Sequence, residues 1–209
     1  ISLGLVGSEM CIRDRCKVPF MVDNTVATPA LLNPIKHGAN IVIYSLTKYI
    51  NGNGTALGGA IIDAGNFDWS NGNFPEFTSP SPGYHGLVYY EALGPAAFIA
   101  KVRVEGLRDL GAAISPFNSF QILQGLETLD VRMKKHSENA LKIANWLDSL
   151  EEVSWVNYPG LQSSKFNSLA KKYLPNGQSG LVTFGVKGGY DHAKKISDNT
   201  KIFSLLALS

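Results

Sequence analysis

The sequence predicts an α/β protein. Two short apolar, β-branched runs, residues 18–22 and 40–44, each end in a cluster of polar functional groups, about one strand-and-helix unit apart. Further along, apolar residues recur at three- and four-residue spacing, and three more apolar runs follow at 153–158, 180–186 and 202–208. Glycine- and proline-rich stretches separate the periodic segments, as connections in such a fold require.

Taken in order, Val18-Pro19-Phe20-Met21-Val22 reads as a strand ending in Asp23-Asn24-Thr25, and residues 40–44 as a buried strand ending in Ser45-Leu46-Thr47-Lys48. Asn51-Gly52-Asn53-Gly54 cannot continue any regular element. A third strand is expected over 58–63. Residues 65–86 are rich in Gly, Pro, Ser and Asn and too long for an ordinary connection, which marks a functional or interface loop. Its aromatics Phe67, Trp69, Phe74, Phe77 and Tyr84 need burial, either within the loop or against another subunit.

Ser115 followed by Pro116 is a helix start, a capping hydroxyl and then a residue preset for the first turn. Beyond it Leu126, Leu129, Met133, His136, Ala140, Ala144 and Leu147 form one face of a long helix, with His136 read as a packed core histidine rather than a ligand. Helices are also expected near 163–173 and from about 191. The switch in pattern suggests a second, smaller α/β domain hinged on the long helix, with domains at 16–129 and 130–209.

Composition bounds the chemistry. With 44% apolar residues, 17% charged residues and a net charge of +2 over 209 residues, the chain carries no nucleic-acid footprint. No apolar run approaches the roughly 18 residues of a membrane span. The two cysteines, Cys11 and Cys16, make neither a disulfide framework nor a metal cluster. A cytoplasmic enzyme is the simplest expectation.

The site expectation rests on the two strand ends. In open α/β sheets ligands bind at the carboxyl edge of the strands. A lysine partly desolvated there has a nucleophilic amine suited to a carbonyl cofactor, and the neighbouring hydroxyls suit a phosphate. A carboxylate at the adjacent strand end can hold a protonated ring nitrogen, the role an Asp takes toward pyridoxal phosphate. Alone, Asp23 followed by Asn and Thr reads as a turn or cap, and Lys48 as solvated surface. Paired, they form one mechanism. The glycines at 52, 54, 58 and 59 match neither dinucleotide nor P-loop spacing.

The run from Val22-Asp23-Asn24-Thr25 through Thr28-Pro29, then His37-Gly38-Ala39-Asn40 through Ser45-Leu46-Thr47-Lys48-Tyr49, closely resembles the cystathionine gamma-synthase family of pyridoxal-phosphate enzymes. Gly58-Gly59-Ala60-Ile61-Ile62 continues the likeness. Gly65-Asn66-Phe67-Asp68-Trp69, Phe74-Pro75-Glu76-Phe77-Thr78 and Tyr84-His85-Gly86-Leu87 look like the insertion typical of O-acetylhomoserine sulfhydrylases. The likeness covers residues 17–209 and runs through Leu123-Gln124-Gly125-Leu126-Glu127-Thr128-Leu129. Asn53 stands where many relatives have His, and Val26 where Phe is usual.

This resemblance implies a fold-type I pyridoxal-phosphate transferase, represented by the C-terminal part of its large parallel-sheet domain and part of its small α/β domain. It implies pyridoxal 5'-phosphate held by Lys48 as the Schiff-base lysine, by Asp23 at the pyridine nitrogen, by Ser45 and Thr47 at the phosphate and by Thr25 beside the ring. The implied reaction is γ-replacement on O-acetylhomoserine by sulfide or a thiol, in a dimer of dimers. Cystathionine synthesis and methionine γ-elimination share its early steps. A different class of reading is an inactive fragment that retains only assembly surfaces. Residues 1–15 resemble a translated sequencing adaptor and are set aside as an expected leader, and both chain ends read as cut within the parent fold.

Overall fold

The computed structural model describes residues 6–204. The chain divides into two compact units, residues 1–133 and 134–209.

The first unit is built on a three-stranded sheet of β1 (Met21–Asp23), β2 (Ile41–Ser45) and β3 (Gly59–Asp63), in that spatial order. β1 and β2 run parallel with Asp23 beside Ile43, and β3 runs antiparallel to β2 with Gly59 beside Ser45. The parallel pair is the part that matters for function, because it brings two carboxyl-terminal strand ends to one edge. β2 is the most buried strand, with Ile41, Val42 and Tyr44 in the core, as its continuous β-branched run requires. β1 is shorter than the apolar run from Val18, because Pro19 has no N–H to give a ladder.

The aromatics of the 65–86 segment are packed within this unit. Trp69 and Phe77 are buried with Ile41, Tyr89 and Ala97. The Trp69 ring stacks on Phe98 at 5.0 Å and meets Phe67 and Phe77 at 4.7 Å each. Tyr89, also buried, donates to Glu105 Oε1 at 2.8 Å, and Lys101 pairs with the other oxygen at 2.6 Å. Burial and the Glu105 carboxylate push the Tyr89 hydroxyl up to about 12, while Lys101 holds Glu105 below the usual carboxylate range. Trp69→Ala is expected to destabilise this unit by about 3–5 kcal/mol, the range for emptying a buried aromatic site. Urea unfolding checks it, as a lower midpoint at unchanged slope.

Ser115 caps the helix Pro116–Glu127, its Oγ accepting from Asn118 N–H at 3.1 Å. The single long helix expected beyond this point is two helices. The first stops at Thr128, which leaves helical geometry (φ −108°, ψ 7°), and the second is Leu129–Asp148. The buried stripe keeps its three- and four-residue spacing across the break, through Gly125, Leu129, Met133, Ser137, Ala140, Ala144 and Leu147, and His136, expected in the core, is exposed because Ser137 takes the inward position. Leu126 is 44% exposed, since its neighbour Gly125 takes the buried position on the helix Pro116–Glu127.

In the second unit β4 (Val153–Asn157) pairs antiparallel with β5 (Thr183–Val186). Ala140 and Ala144 pack there with Tyr158 and Leu161. The buried Tyr158 hydroxyl donates to Ser179 O at 3.0 Å, with Ser137 O at 3.3 Å sharing it. Helices at Asn167–Tyr173 and Gly189–Asp198 fall where the sequence suggests, with shorter bounds at 163–173. Of the strand expected over 202–208, residues 202–204 are irregular and 205–208 lie outside the described residues. At the other end, Val6–Cys16 is helical and Arg13 Nη1 donates to Gly38 O at 2.9 Å. No helix among the described residues is long and apolar enough to cross a membrane.

Candidate active site

The edge of the sheet where β1 and β2 end carries all five expected site residues. Asp23 closes β1 with its side chain exposed, and its Oδ1 accepts from Thr25 N–H at 3.0 Å. Thr25 Oγ1 in turn accepts from Ser45 N–H at 2.8 Å, and Asn24 N–H donates to Ile43 O at 2.9 Å. These bonds tie the Asp23 turn directly to the end of β2. They continue the ladder past the strand and fix the carboxylate beside the segment that bears Lys48.

Asn24 holds the turn from below. It is fully buried, and the two hydrogens of its Nδ2 are shared among Leu32 O (2.9 Å), Thr28 O (3.1 Å) and the Tyr44 hydroxyl (3.1 Å). Thr28, also buried, takes φ +62°, a conformation that costs a β-branched residue about 1–3 kcal/mol and persists only where the surroundings enforce it. The Asp23 turn is therefore rigid for a loop.

After Ser45 the chain makes one wide helical turn, Leu46–Ile50, closed by Asn51 N–H to Leu46 O at 2.9 Å. Inside it Lys48 departs from helical geometry (φ −85°, ψ −125°), and its carbonyl accepts from Gly52 N–H at 2.9 Å. Lys48 is half-buried. The Thr47 hydroxyl accepts from Gly58 N–H at 3.1 Å and donates to Gly58 O at 3.3 Å. It thereby pins the lysine turn to the start of β3. Ser45 is half-buried at the strand end.

Two further residues complete the frame, and the sequence reading passed over both. Gly125 packs its bare Cα onto the lysine turn: a Cβ there would run into the Asn51 carbonyl and lie 2.7 Å from Ile50 O. Arg132 donates from Nη1 to Tyr49 O (2.7 Å), from Nη2 to Gly125 O (2.7 Å) and Ile50 O (3.3 Å), and from Nε to Thr128 Oγ1 (3.0 Å). Burial lowers its pKa. The i, i+4 spacing of Thr128 and Arg132 is a local signal for one of these bonds. No local pattern announces contacts more than 80 residues back.

The donor set is thus a carboxylate, a lysine and hydroxyls at one strand edge, where the Asp23 turn and the end of β2 are tied by the Thr25–Ser45 hydrogen bond. It fits a phosphate-bearing aldehyde with a basic ring nitrogen. Among the described residues no group of three His, Cys, Asp or Glu side chains is placed to hold a metal ion.

Comparison with known proteins agrees. A family model described as Cys/Met metabolism PLP-dependent enzyme matches residues 9–208, and so includes residues 9–15 of the expected leader. The chain is 54% identical over 199 residues to an O-acetyl-L-homoserine sulfhydrylase of Leptospira meyeri, over 91% of this chain and 45% of that protein. It is 48% identical over 193 residues to a homocysteine synthase of Schizosaccharomyces pombe, with the same two coverages of 91% and 45%. The chain spans about half the length of the curated relatives it matches. A crystal structure from Campylobacter jejuni, described as an O-acetylhomoserine (thiol)-lyase with N'-pyridoxyl-lysine-5'-monophosphate, superposes with a TM-score of 0.90 at 44% identity, over 97% of this chain and 50% of that one. The chain shares its fold with part of that PLP-bearing structure and belongs to the Cys/Met metabolism PLP-dependent enzyme family.

Proposed function

We propose that the protein, at the length of its relatives, catalyses γ-replacement on O-acetylhomoserine by sulfide or a thiol, giving homocysteine or its thioether and acetate. The observation that carries this reading is the shared edge of β1 and β2, where Asp23 and the Lys48 turn are joined through the Thr25–Ser45 hydrogen bond. The names of the relatives support the substrate class.

When bound, pyridoxal phosphate supplies an aldehyde that condenses with amines and a ring that takes up the electron pair left at Cα. Lys48 Nζ bonds the aldehyde carbon at rest. Displaced by the substrate's amine, it becomes the base that takes the Cα proton and then moves protons at the neighbouring carbon. The Asp23 carboxylate keeps a proton on the ring nitrogen, Thr25 braces it through the backbone, and Ser45 donates to the phosphate. Thr47 reaches the phosphate by exchanging its long donation to Gly58 O for one to a charged oxygen, a stronger bond. The same reading carries a homo-oligomer, a dimer of dimers, that works on small molecules in the cytoplasm.

Asp23→Asn tests the ring-nitrogen role. The amide keeps the shape but loses the charge, so cofactor retention is expected to survive while turnover falls by about 10²-fold, the size of one lost preorganised contact at developing charge. Spectral titration of bound cofactor beside rate measurement checks it. An unchanged rate would leave Asp23 as a turn residue only.

A further inference from the structure

We propose that Arg132 is a positioning residue for Lys48: its guanidinium grips the backbone on the C-terminal side of the lysine and fixes where the amine points. This rests on the assignment of Lys48 as the cofactor-binding lysine. The need for such a grip lies in the turn itself. With ψ −125° at Lys48 the peptide leaves helical register, and at Gly52 (φ +73°) the chain leaves it for good. The following turn, which would have supplied N–H groups to the carbonyls of Tyr49 and Ile50, is not formed.

Arg132 takes that place. One planar fork spans Tyr49 O, Ile50 O and Gly125 O, while Nε is held by Thr128 Oγ1. The lysine turn is thereby fastened to the end of the helix Pro116–Glu127, which touches it through the bare Cα of Gly125. Gly52 leaves room for the group, since a Cβ there would sit 2.6 Å from the guanidinium carbon. Tyr49 O belongs to the residue next to Lys48, so a shift of this anchor rotates the lysine with it. A single ammonium cannot reproduce the grip, because its donors radiate from one point.

The experiment uses a chain completed to the length of its relatives and loaded with pyridoxal phosphate, with Arg132→Lys, Thr128→Val and Lys48→Ala variants. For Arg132→Lys, kcat is expected to fall by about tenfold or more with KM changed less than about threefold, since misplacing a reacting group by about 1 Å is felt in the chemical step. The pH midpoint of the bound cofactor's absorbance is expected to shift by about half a unit or more, because the amine's surroundings change. Thr128→Val, an isosteric loss of the Nε acceptor, is expected to shift the same midpoint in the same direction by less, and it decides the matter if Arg132→Lys does not fold. Parent midpoint and parent kcat in Arg132→Lys, or in Thr128→Val when that variant decides, would overturn the proposal. Borohydride-reducible cofactor surviving in Lys48→Ala would instead overturn the lysine assignment itself, so the two failures are separable.

Discussion

Lys48→Ala, in a chain completed to the length of its relatives, is expected to lose covalent cofactor attachment and at least about 10³-fold in turnover, because nucleophile and general base disappear together. The bonds described above that shape this turn run from Asn51 N–H to Leu46 O, from Gly52 N–H to Lys48 O, from Arg132 to the carbonyls of Tyr49 and Ile50, and between the Thr47 hydroxyl and Gly58. Alanine retains all of them. Absorbance from the lysine-bound cofactor should vanish in this variant. Lys48→Arg should fail as well, since a guanidinium does not give up its proton near neutral pH. Turnover near the parent rate in either variant would remove Lys48 from the mechanism.

Gly125→Ala is expected to be the most damaging single-methyl change in the first unit. Inside an ordinary helix, alanine is favoured over glycine by about 0.8–1 kcal/mol. In Pro116–Glu127 the sign reverses, because the new Cβ would overlap the Asn51 carbonyl, lie 2.6 Å from the Asn51 carbonyl carbon and 2.7 Å from Ile50 O. All of these are backbone atoms of the lysine turn, which no rotamer change can move aside. A net loss of about 2–3 kcal/mol is expected, within the range for overpacking a closed interface. Gly83→Ala is the control, with nothing within 4 Å of its Cβ, and should be near neutral. Denaturant midpoints of the two variants compare them directly. A stabilised Gly125→Ala would mean that the helix does not press on the lysine turn.

The residues at the strand ends were legible because their signal is local: an apolar β-branched run, then Asp23 or Ser45 through Lys48, then glycine. The Ser115 cap was legible for the same reason, since its partner Asn118 is three residues away. The break at Thr128 was not, because three- and four-residue spacing continues across it without a change of phase, and the same spacing admits either His136 or its neighbour Ser137 on the buried face. The packing of Trp69 on Phe98 settles inside the unit a burial that the loop's composition left open between two places. Arg132 and Gly125 were invisible for a different reason. Their partners lie at Tyr49, Ile50 and Asn51, and only the folded chain brings a bare Cα and a guanidinium to those carbonyls.

The central claim is that Lys48 holds the cofactor at the common edge of β1 and β2. Borohydride reduction of the loaded full-length protein, followed by proteolysis and mass spectrometry, locates the attachment directly. The account predicts a pyridoxyl group on the peptide containing Lys48 and on no other lysine. A pyridoxyl group on Lys36 or any other lysine, or none on the Lys48 peptide of a fully loaded protein, would contradict it.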